Sequence, residues 1–416
     1  MKQVLAGPTR IRPQNASPWP TVLRGAAALA AAMGVGRFAY TPIMPLMHAQ
    51  AGMPDSMGAS LATANYIGYL AGALLGIAAP PLLRSVAALR TGLLVLVASL
   101  ALMPLTHDGG VWWALRLVAG TASALVFMIA TGVVLAGLAA HAEHMTGWAF
   151  GGVGAGIALS GLTVVAVQQV GSWQTAWSAC AALTVLLTAA AWGLVPRGAG
   201  ASASTAAVPS QRPRTRRWFT ALLASYLLEG VGYIIAGTFL VAALQQGAPG
   251  WIGSGSWIVV GLAALPSCAL WMRLARRVSR PALLTISLSL QAIGIALPAL
   301  SSGSVPALTA AVLFGATFMG VSTMSLAIGT HLRIPRAIAL LTTGYSLGQI
   351  LGPLLAAPLL HNGYHSALLL GAALVLTAAF AAAACCIRFP HHLTPPHSHR
   401  LTEKGAAPMA GGPSSR

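Results

Sequence analysis

The sequence predicts an all-α membrane protein in which twelve transmembrane helices form two parallel six-helix pseudo-repeats. Three observations support this fold class. The chain is 56% hydrophobic and 7% charged, whereas a soluble domain carries about 25% charged residues. Its apolar runs are long enough to cross a bilayer as helices. Its lysines and arginines fall on alternate connections between those runs, as they do in multi-pass membrane proteins.

The predicted helices follow the apolar runs, which end at glycine, proline or charged residues. In chain order they cover residues 22–47, 58–80, 90–106, 111–139, 145–170, 174–195, 218–246, 251–272, 281–300, 305–330, 335–360 and 364–388. Because the number of crossings is even, both ends of the chain are predicted to lie on the same side of the membrane.

The positive charges indicate which side that is. Of the 23 lysines and arginines, all but Arg37 and Arg116 lie in the terminal segments, the central linker or every second connection. The alternate connections contain none, and they lie near 48–57, 107–110, 171–173, 247–250, 301–304 and 361–363. Cytoplasmic loops are enriched in lysine and arginine, so both termini are predicted to be cytoplasmic. This placement assigns the net charge of +18 to the membrane surface and argues against nucleic acid as a partner.

A basic linker separates two similar halves of the chain. The predicted segments are a cytoplasmic lead (1–21), a six-helix bundle (22–195), a basic cytoplasmic linker (196–217), a second six-helix bundle (218–388) and a disordered cytoplasmic tail (389–416). Gly34-Val35-Gly36 in the first helix recurs as Gly230-Val231-Gly232 in the seventh. Both halves start on the cytoplasmic side, so the repeats are predicted to be parallel.

The first predicted helix contains the most informative residue of the chain, Arg37. It lies roughly 20 Å beyond Arg24 on a helix that rises about 1.5 Å per residue, which is near the middle of the membrane. An arginine there costs at least about 2.5–3.5 kcal/mol, so we expect Arg37 to face a partner or a wet cavity rather than lipid. Glycines and prolines around it predict a bent or broken helix. The alternative is an arginine that snorkels or pins two helices together.

Glu229 is the only carboxylate within a predicted helix. It lies at the depth of Arg37, in the equivalent helix of the second half. Three interpretations stay open. Glu229 forms an ion pair with Arg37 across the two halves, or it stands apart and binds and releases a proton during transport, or it is neutral and bonds a neighbouring helix.

Other polar and aromatic side chains in the predicted helices complete a candidate site. The predicted substrate-binding residues are Arg37, Tyr40, Asn65, Tyr66, Tyr69, Tyr226, Tyr233 and Gln349. Glu229 and Arg116 are the predicted proton-coupling residues, with support of the cavity as the alternative role of Arg116. No metal or cofactor is predicted, because the cysteines lie in apolar runs without ligand spacing. The glycine-rich stretch 151–156 predicts close helix packing, not a phosphate-binding loop.

Four motifs resemble the major facilitator superfamily, and specifically its YbfB/YjiJ branch. They are Gly-Val-Gly-Arg-Phe-Ala-Tyr-Thr-Pro-Ile-Met-Pro-Leu-Met (34–47), Ala-Asn-Tyr-Ile-Gly-Tyr-Leu-Ala-Gly-Ala-Leu (64–74), Phe-Gly-Ala-Thr-Phe-Met-Gly (314–320) and Gly-Gln-Ile-Leu-Gly-Pro-Leu (348–354). The resemblance implies the major facilitator fold and alternating access around a central site, for a solute that is generally unassigned. Arg116 followed by Gly120 resembles an arginine motif linked to proton coupling. The stretch 154–156 lacks the proline of the antiporter motif, so export does not follow.

We therefore expect a secondary active transporter for a small organic solute in a bacterial cytoplasmic membrane. We expect proton coupling, a monomer surrounded by lipid, and either import or efflux. The alternative is a transporter-like sensor, or a facilitator without ion coupling. An enzyme is not expected, because one buried carboxylate and scattered histidines supply neither a nucleophile with its base nor a metal cluster.

Overall fold

The computed structural model describes residues 17–138, 141, 143–168, 171–196, 215–247, 251–334 and 336–390. Within these residues, 12 helices are long and apolar enough to cross a membrane. They are α1 (Trp19–Ala51), α2 (Asp55–Ala78), α3 (Val86–Leu105), α4 (Gly109–Leu138), α5 (Met145–Gln168), α6 (Trp173–Ala191), α7 (Arg216–Gly247), α8 (Trp251–Leu274), α9 (Arg280–Leu300), α10 (Ser304–His331), α11 (Ala337–His361) and α12 (Tyr364–Cys386). The predicted fold class is confirmed.

Three predicted segments fall largely outside the described part of the chain. They are the N-terminal lead up to residue 16, the central linker over 197–214 and the tail from residue 391. The boundaries proposed for these segments and for the two halves stay predictions.

Helix α1 is broken at the depth of Arg37, as its glycines and prolines predict. An α-helix over Trp19–Leu29 passes into a π-helix over Ala30–Val35, and a second α-helix runs over Tyr40–Ala51. Pro42 has no N–H to donate to the Phe38 carbonyl four residues earlier, and this carbonyl accepts instead from the N–H of Thr41 at 3.2 Å. The break leaves backbone carbonyls between the two parts of α1 for other side chains to bind.

Close packing of α5 explains the glycine-rich stretch 151–156. A Cβ atom on Gly34 of α1 would lie 2.5 Å from the Cα atom of Gly156. On the other face of α5, a Cβ atom on Gly154 would lie 2.4 Å from the backbone nitrogen of Leu265 in α8. Only residues without a side chain allow these approaches. The glycines therefore hold α5 against both α1 and α8, which agrees with the packing interpretation.

Five described hydrogen bonds join the N-terminal half to the C-terminal half. They link Arg37 to Gln349, Thr41 to Gly237, Tyr66 to Thr238, Gln168 to Ser254 and Asp55 to Tyr364. All five lie near mid-depth or toward the ends of the helices that are predicted to face outward. These contacts close the two halves against each other on that side.

Candidate functional site

Arg37 lies between the two halves and is 3% exposed. Its Nη2 donates a hydrogen bond of 2.7 Å to Oε1 of Gln349 in α11. The guanidinium carbon lies 4.2 Å from the ring centroid of Tyr69 and 4.9 Å from that of Tyr66, both in α2. Its Nε has no hydrogen-bond partner. Arg37 therefore faces protein partners rather than lipid, and those partners are neutral.

Arg116 holds the broken part of α1 in place. This side chain of α4 is 2% exposed. Its Nη1 donates to the carbonyl of Gly36 at 3.3 Å and its Nη2 to the carbonyl of Arg37 at 3.0 Å. A guanidinium can satisfy two such carbonyls because its N–H donors form a rigid, planar fork. These contacts favour the supporting role of Arg116, and its role in proton coupling stays a prediction.

Two predicted binding residues also have structural partners in the N-terminal half. The Tyr40 hydroxyl donates to the carbonyl of Gly58 at 2.9 Å. Asn65 donates through Nδ2 to the carbonyl of Arg116 at 3.0 Å, while its Oδ1 is buried without a partner. The amide oxygen of Asn65 is therefore unpartnered, whereas the hydroxyl of Tyr40 is already bound to α2.

Aromatic rings of the C-terminal half form a second wall beside Arg37. Tyr226 stacks on Tyr345 with centroids 4.4 Å apart and an interplanar angle of 14°. Tyr233 stacks on Phe318 at 5.7 Å and 13°. Phe38, the neighbour of Arg37, contacts the Phe318 ring edge to face at 6.4 Å. This aromatic wall brings together the predicted Tyr226 and Tyr233 with rings that the candidate set did not include.

Trp257 of α8 belongs to the same region and was also missed by the sequence prediction. Its ring centroid lies 6.3 Å from that of Phe38. It is 1% exposed, and its indole Nε1 has no hydrogen-bond partner. A tryptophan in an apolar run carries no sequence signal that separates packing from ligand binding. Phe318 had one weak signal, since Phe318-Met319 repeats Phe127-Met128 of the first half.

Glu229 points into the C-terminal half. It is 0% exposed, and Nε2 of Gln291 in α9 donates to its Oε1 at 3.4 Å. Its Oε2 and the Oε1 of Gln291 are both buried without a partner. No ion pair joins Glu229 to Arg37, both of which lie in the described part of the chain. Of the three interpretations, the hydrogen bond to a neighbouring helix describes the observed contact, and Gln291 is its unpredicted partner.

A protein-family model described as "Uncharacterised MFS-type transporter YbfB" matches residues 29–383. The chain belongs to this family. Membership in the YbfB-type family makes it a multi-pass membrane protein and a transporter of the major facilitator type rather than an enzyme. The predicted resemblance is thereby confirmed.

Solved structures show the same fold. Two crystal structures of the nucleoside transporter NupG, one of them a mutant, match at 15% sequence identity and a TM-score of 0.64. The matches cover 88% of this YbfB-type chain and 99% and 98% of the NupG chains. At this identity the likeness concerns the fold alone. A comparison with the curated proteins found no match.

Proposed function

We propose that this YbfB-type transporter moves a small organic solute by proton-coupled alternating access, with Arg37 at the centre of the substrate site. The bond between Arg37 and Gln349 is the observation that supports this proposal most. It joins α1 of the first half to α11 of the second half, beside aromatic side chains of α2, α7, α8 and α10. A solute bound at this point contacts both halves, so its affinity depends on how the halves are arranged. The proposed binding set is the predicted one with Tyr345 and Trp257 added.

Glu229 is the proposed proton carrier. A fully buried carboxylate with no cation beside it is costly in its charged form, so the neutral acid suits this conformation. A protonated Glu229 has an O–H donor, and Gln291 has an unpartnered amide oxygen. An acid paired with an amide in this way satisfies both atoms that otherwise lack partners. The proton is released when rearrangement of the C-terminal half lets water reach Glu229.

The same contact also supports a second candidate, a facilitator without ion coupling. If the pair of Glu229 and Gln291 stays intact through the whole cycle, Glu229 serves only to hold α7 against α9. The two candidates share the site at Arg37 and differ in one measurable property, the movement of protons with the solute.

Transport in proteoliposomes tests the proposal and separates the candidates. We expect Glu229→Gln to abolish uphill transport driven by a pH gradient while partly retaining solute exchange, because an amide carries no exchangeable acid proton. We expect Arg37→Ala to lose both activities. Arg273→Ala, an exposed arginine at the end of α8, is the matched control and should retain both. Uphill transport by Glu229→Gln at the wild-type rate would remove Glu229 from the coupling. Downhill solute flux by the wild type with no uphill transport under any pH gradient would favour the facilitator.

The orientation and membrane are also part of the proposal. We propose the bacterial cytoplasmic membrane with both termini in the cytoplasm and a monomeric transporter. The distribution of lysine and arginine supports the orientation. The predominance of arginine over lysine and the many alanines are consistent with a bacterium that has a GC-rich genome.

A further inference from the structure

The buried charges beside α1 are unbalanced. Arg37 and Arg116 lie next to each other, because Arg116 donates to the Arg37 carbonyl. Both guanidinium groups are buried, and neither forms an ion pair with a described carboxylate. Glu229 bonds Gln291, and Asp55 bonds Tyr364 at the predicted outer side. Buried charges in proteins are normally paired, so this site lacks the negative charge that would neutralise it.

Two buried hydrogen-bond donors near Phe38 have no partner. Nε of Arg37 and Nε1 of Trp257 are hydrogen-bond donors, and neither has an acceptor. Phe38 connects them: its ring centroid lies 5.4 Å from the guanidinium carbon of Arg37 and 6.3 Å from the ring centroid of Trp257. A ligand with an anionic oxygen acceptor for Nε of Arg37 supplies the missing charge, and a second acceptor on the same ligand would satisfy Nε1 of Trp257.

The walls of the site indicate what the rest of the ligand resembles. Tyr66 and Tyr69 lie against the guanidinium, and the stacked rings of Tyr233 and Phe318 lie beyond Phe38. Aromatic faces of this kind pack well against planar rings and apolar groups. A dianion such as phosphate fits less well, because Nη1 and Nη2 of Arg116 already donate to backbone carbonyls of α1 and only its Nε has no partner.

We propose that the transported solute is an organic monoanion whose carboxylate binds Arg37 and whose planar or apolar body packs against the aromatic wall beside Trp257. This inference rests on the proposed function, since it assigns the ligand of the same site. It also separates this chain from a carrier of neutral solutes, because an uncharged molecule leaves Arg37 without a counterion.

Matched acids and amides test the inference on the full-length purified protein. The probes are benzoate, 4-hydroxybenzoate and indole-3-acetate, each compared with its amide, and uridine as a neutral solute. A bound ligand raises the unfolding temperature, so each probe is added at about 10 mM in a thermal-shift assay. We expect at least one acid to stabilise the wild type, and its amide and uridine to have no effect.

Variants then locate the anion. Arg37→Gln should weaken acid binding by at least about tenfold, because it removes a charge-assisted bond. Trp257→Phe should weaken it less, since it removes one N–H donor and keeps the ring. Arg273→Gln should bind as the wild type does. If Arg37→Gln does not fold, Arg37→Lys and Trp257→Phe still report on the site.

Three results would overturn the inference. The first is stabilisation of the wild type by uridine or by an amide that equals stabilisation by the acid. The second is acid binding by Arg37→Gln that equals binding by the wild type, and the third is no stabilisation by any of the acids. Flux measurements distinguish this failure from failure of the proposed function. Arg37-dependent flux of uridine in proteoliposomes would contradict the proposal of an anionic solute and support the proposed transport function. An acid that binds through Arg37 but is never transported would support the anion-binding site and contradict the proposed transport function.

Discussion

The bond between Arg37 and Gln349 should set the balance between conformations of the transporter. Gln349→Leu keeps the approximate size of the side chain but removes the acceptor of the 2.7 Å bond. A hydrogen bond to a charged group contributes about 1.5–3 kcal/mol. If this bond forms only when the halves are closed on the predicted outer side, its loss shifts the equilibrium toward the outward-open form. At about 1.4 kcal/mol per tenfold change, the shift is roughly 10- to 150-fold.

A buried cysteine on the outer side of the site measures that shift. Thr238 is buried and bonds Tyr66 across the two halves. In a Thr238→Cys variant that also carries Cys386→Ser, we expect Gln349→Leu to increase labelling by a membrane-impermeant maleimide at least about tenfold. The buried Cys180 reports unfolding and should stay unlabelled.

The matched control for this experiment is Gln246→Leu, which changes an exposed glutamine at the end of α7. It should label as slowly as the parent protein. Equal labelling rates for Gln349→Leu and Gln246→Leu, with Cys180 protected in both, would refute the idea that this bond holds the halves closed.

Three further predictions concern packing and support. Arg116→Leu should lower the free energy of unfolding by about 3 kcal/mol or more, because two backbone carbonyls of α1 lose charged donors. Thermal unfolding measures this change, and a melting temperature equal to that of the wild type would contradict the prediction. Gly156→Leu should prevent folding, because a Cβ atom there would lie 2.6 Å from the Ala30 carbonyl oxygen. The control Gly132→Leu places its side chain in open space and should fold. Equal yields of monodisperse protein for the two variants would count against the packing of α5. Tyr364→Phe should remove the 2.7 Å bond to Asp55. Loss of about 1 kcal/mol should raise the labelling rate of the cysteine in the Thr238→Cys variant several-fold. An unchanged rate would show that this contact does not keep the outer side closed.

The fold was predictable because the membrane constrains it strongly. Backbone polar groups must be satisfied within each crossing, so apolar runs become helices and their number follows from the sequence. The placement of Arg37 at a protein interface followed from the cost of exposing it to lipid. The break in α1 near Arg37 was predictable from Gly34, Gly36 and Pro42. The π-helix that precedes the break carries no sequence signature of its own.

The details of the site depend on helix rotation, which the sequence does not specify. Glu229 and Arg37 have equal depth in equivalent helices, yet Glu229 turns toward Gln291 of α9. Rotation of α7 about its axis by the angle between one residue and the next would point the carboxylate in a different direction. No periodic sequence pattern fixes that angle when all faces of the helix are apolar. Trp257 was missed for a related reason, since a buried aromatic residue and a ligand-binding one look alike in an apolar run.

In the proposed mechanism Arg37, held between the two halves, binds the transported solute. The most direct test of this role is the proteoliposome uptake of an acid that stabilises the wild-type protein, measured for the wild type, Arg37→Gln and Arg273→Gln at equal reconstituted amounts. We expect uptake by the wild type and by Arg273→Gln, and none above empty vesicles for Arg37→Gln. Wild-type uptake by a folded Arg37→Gln protein would contradict it.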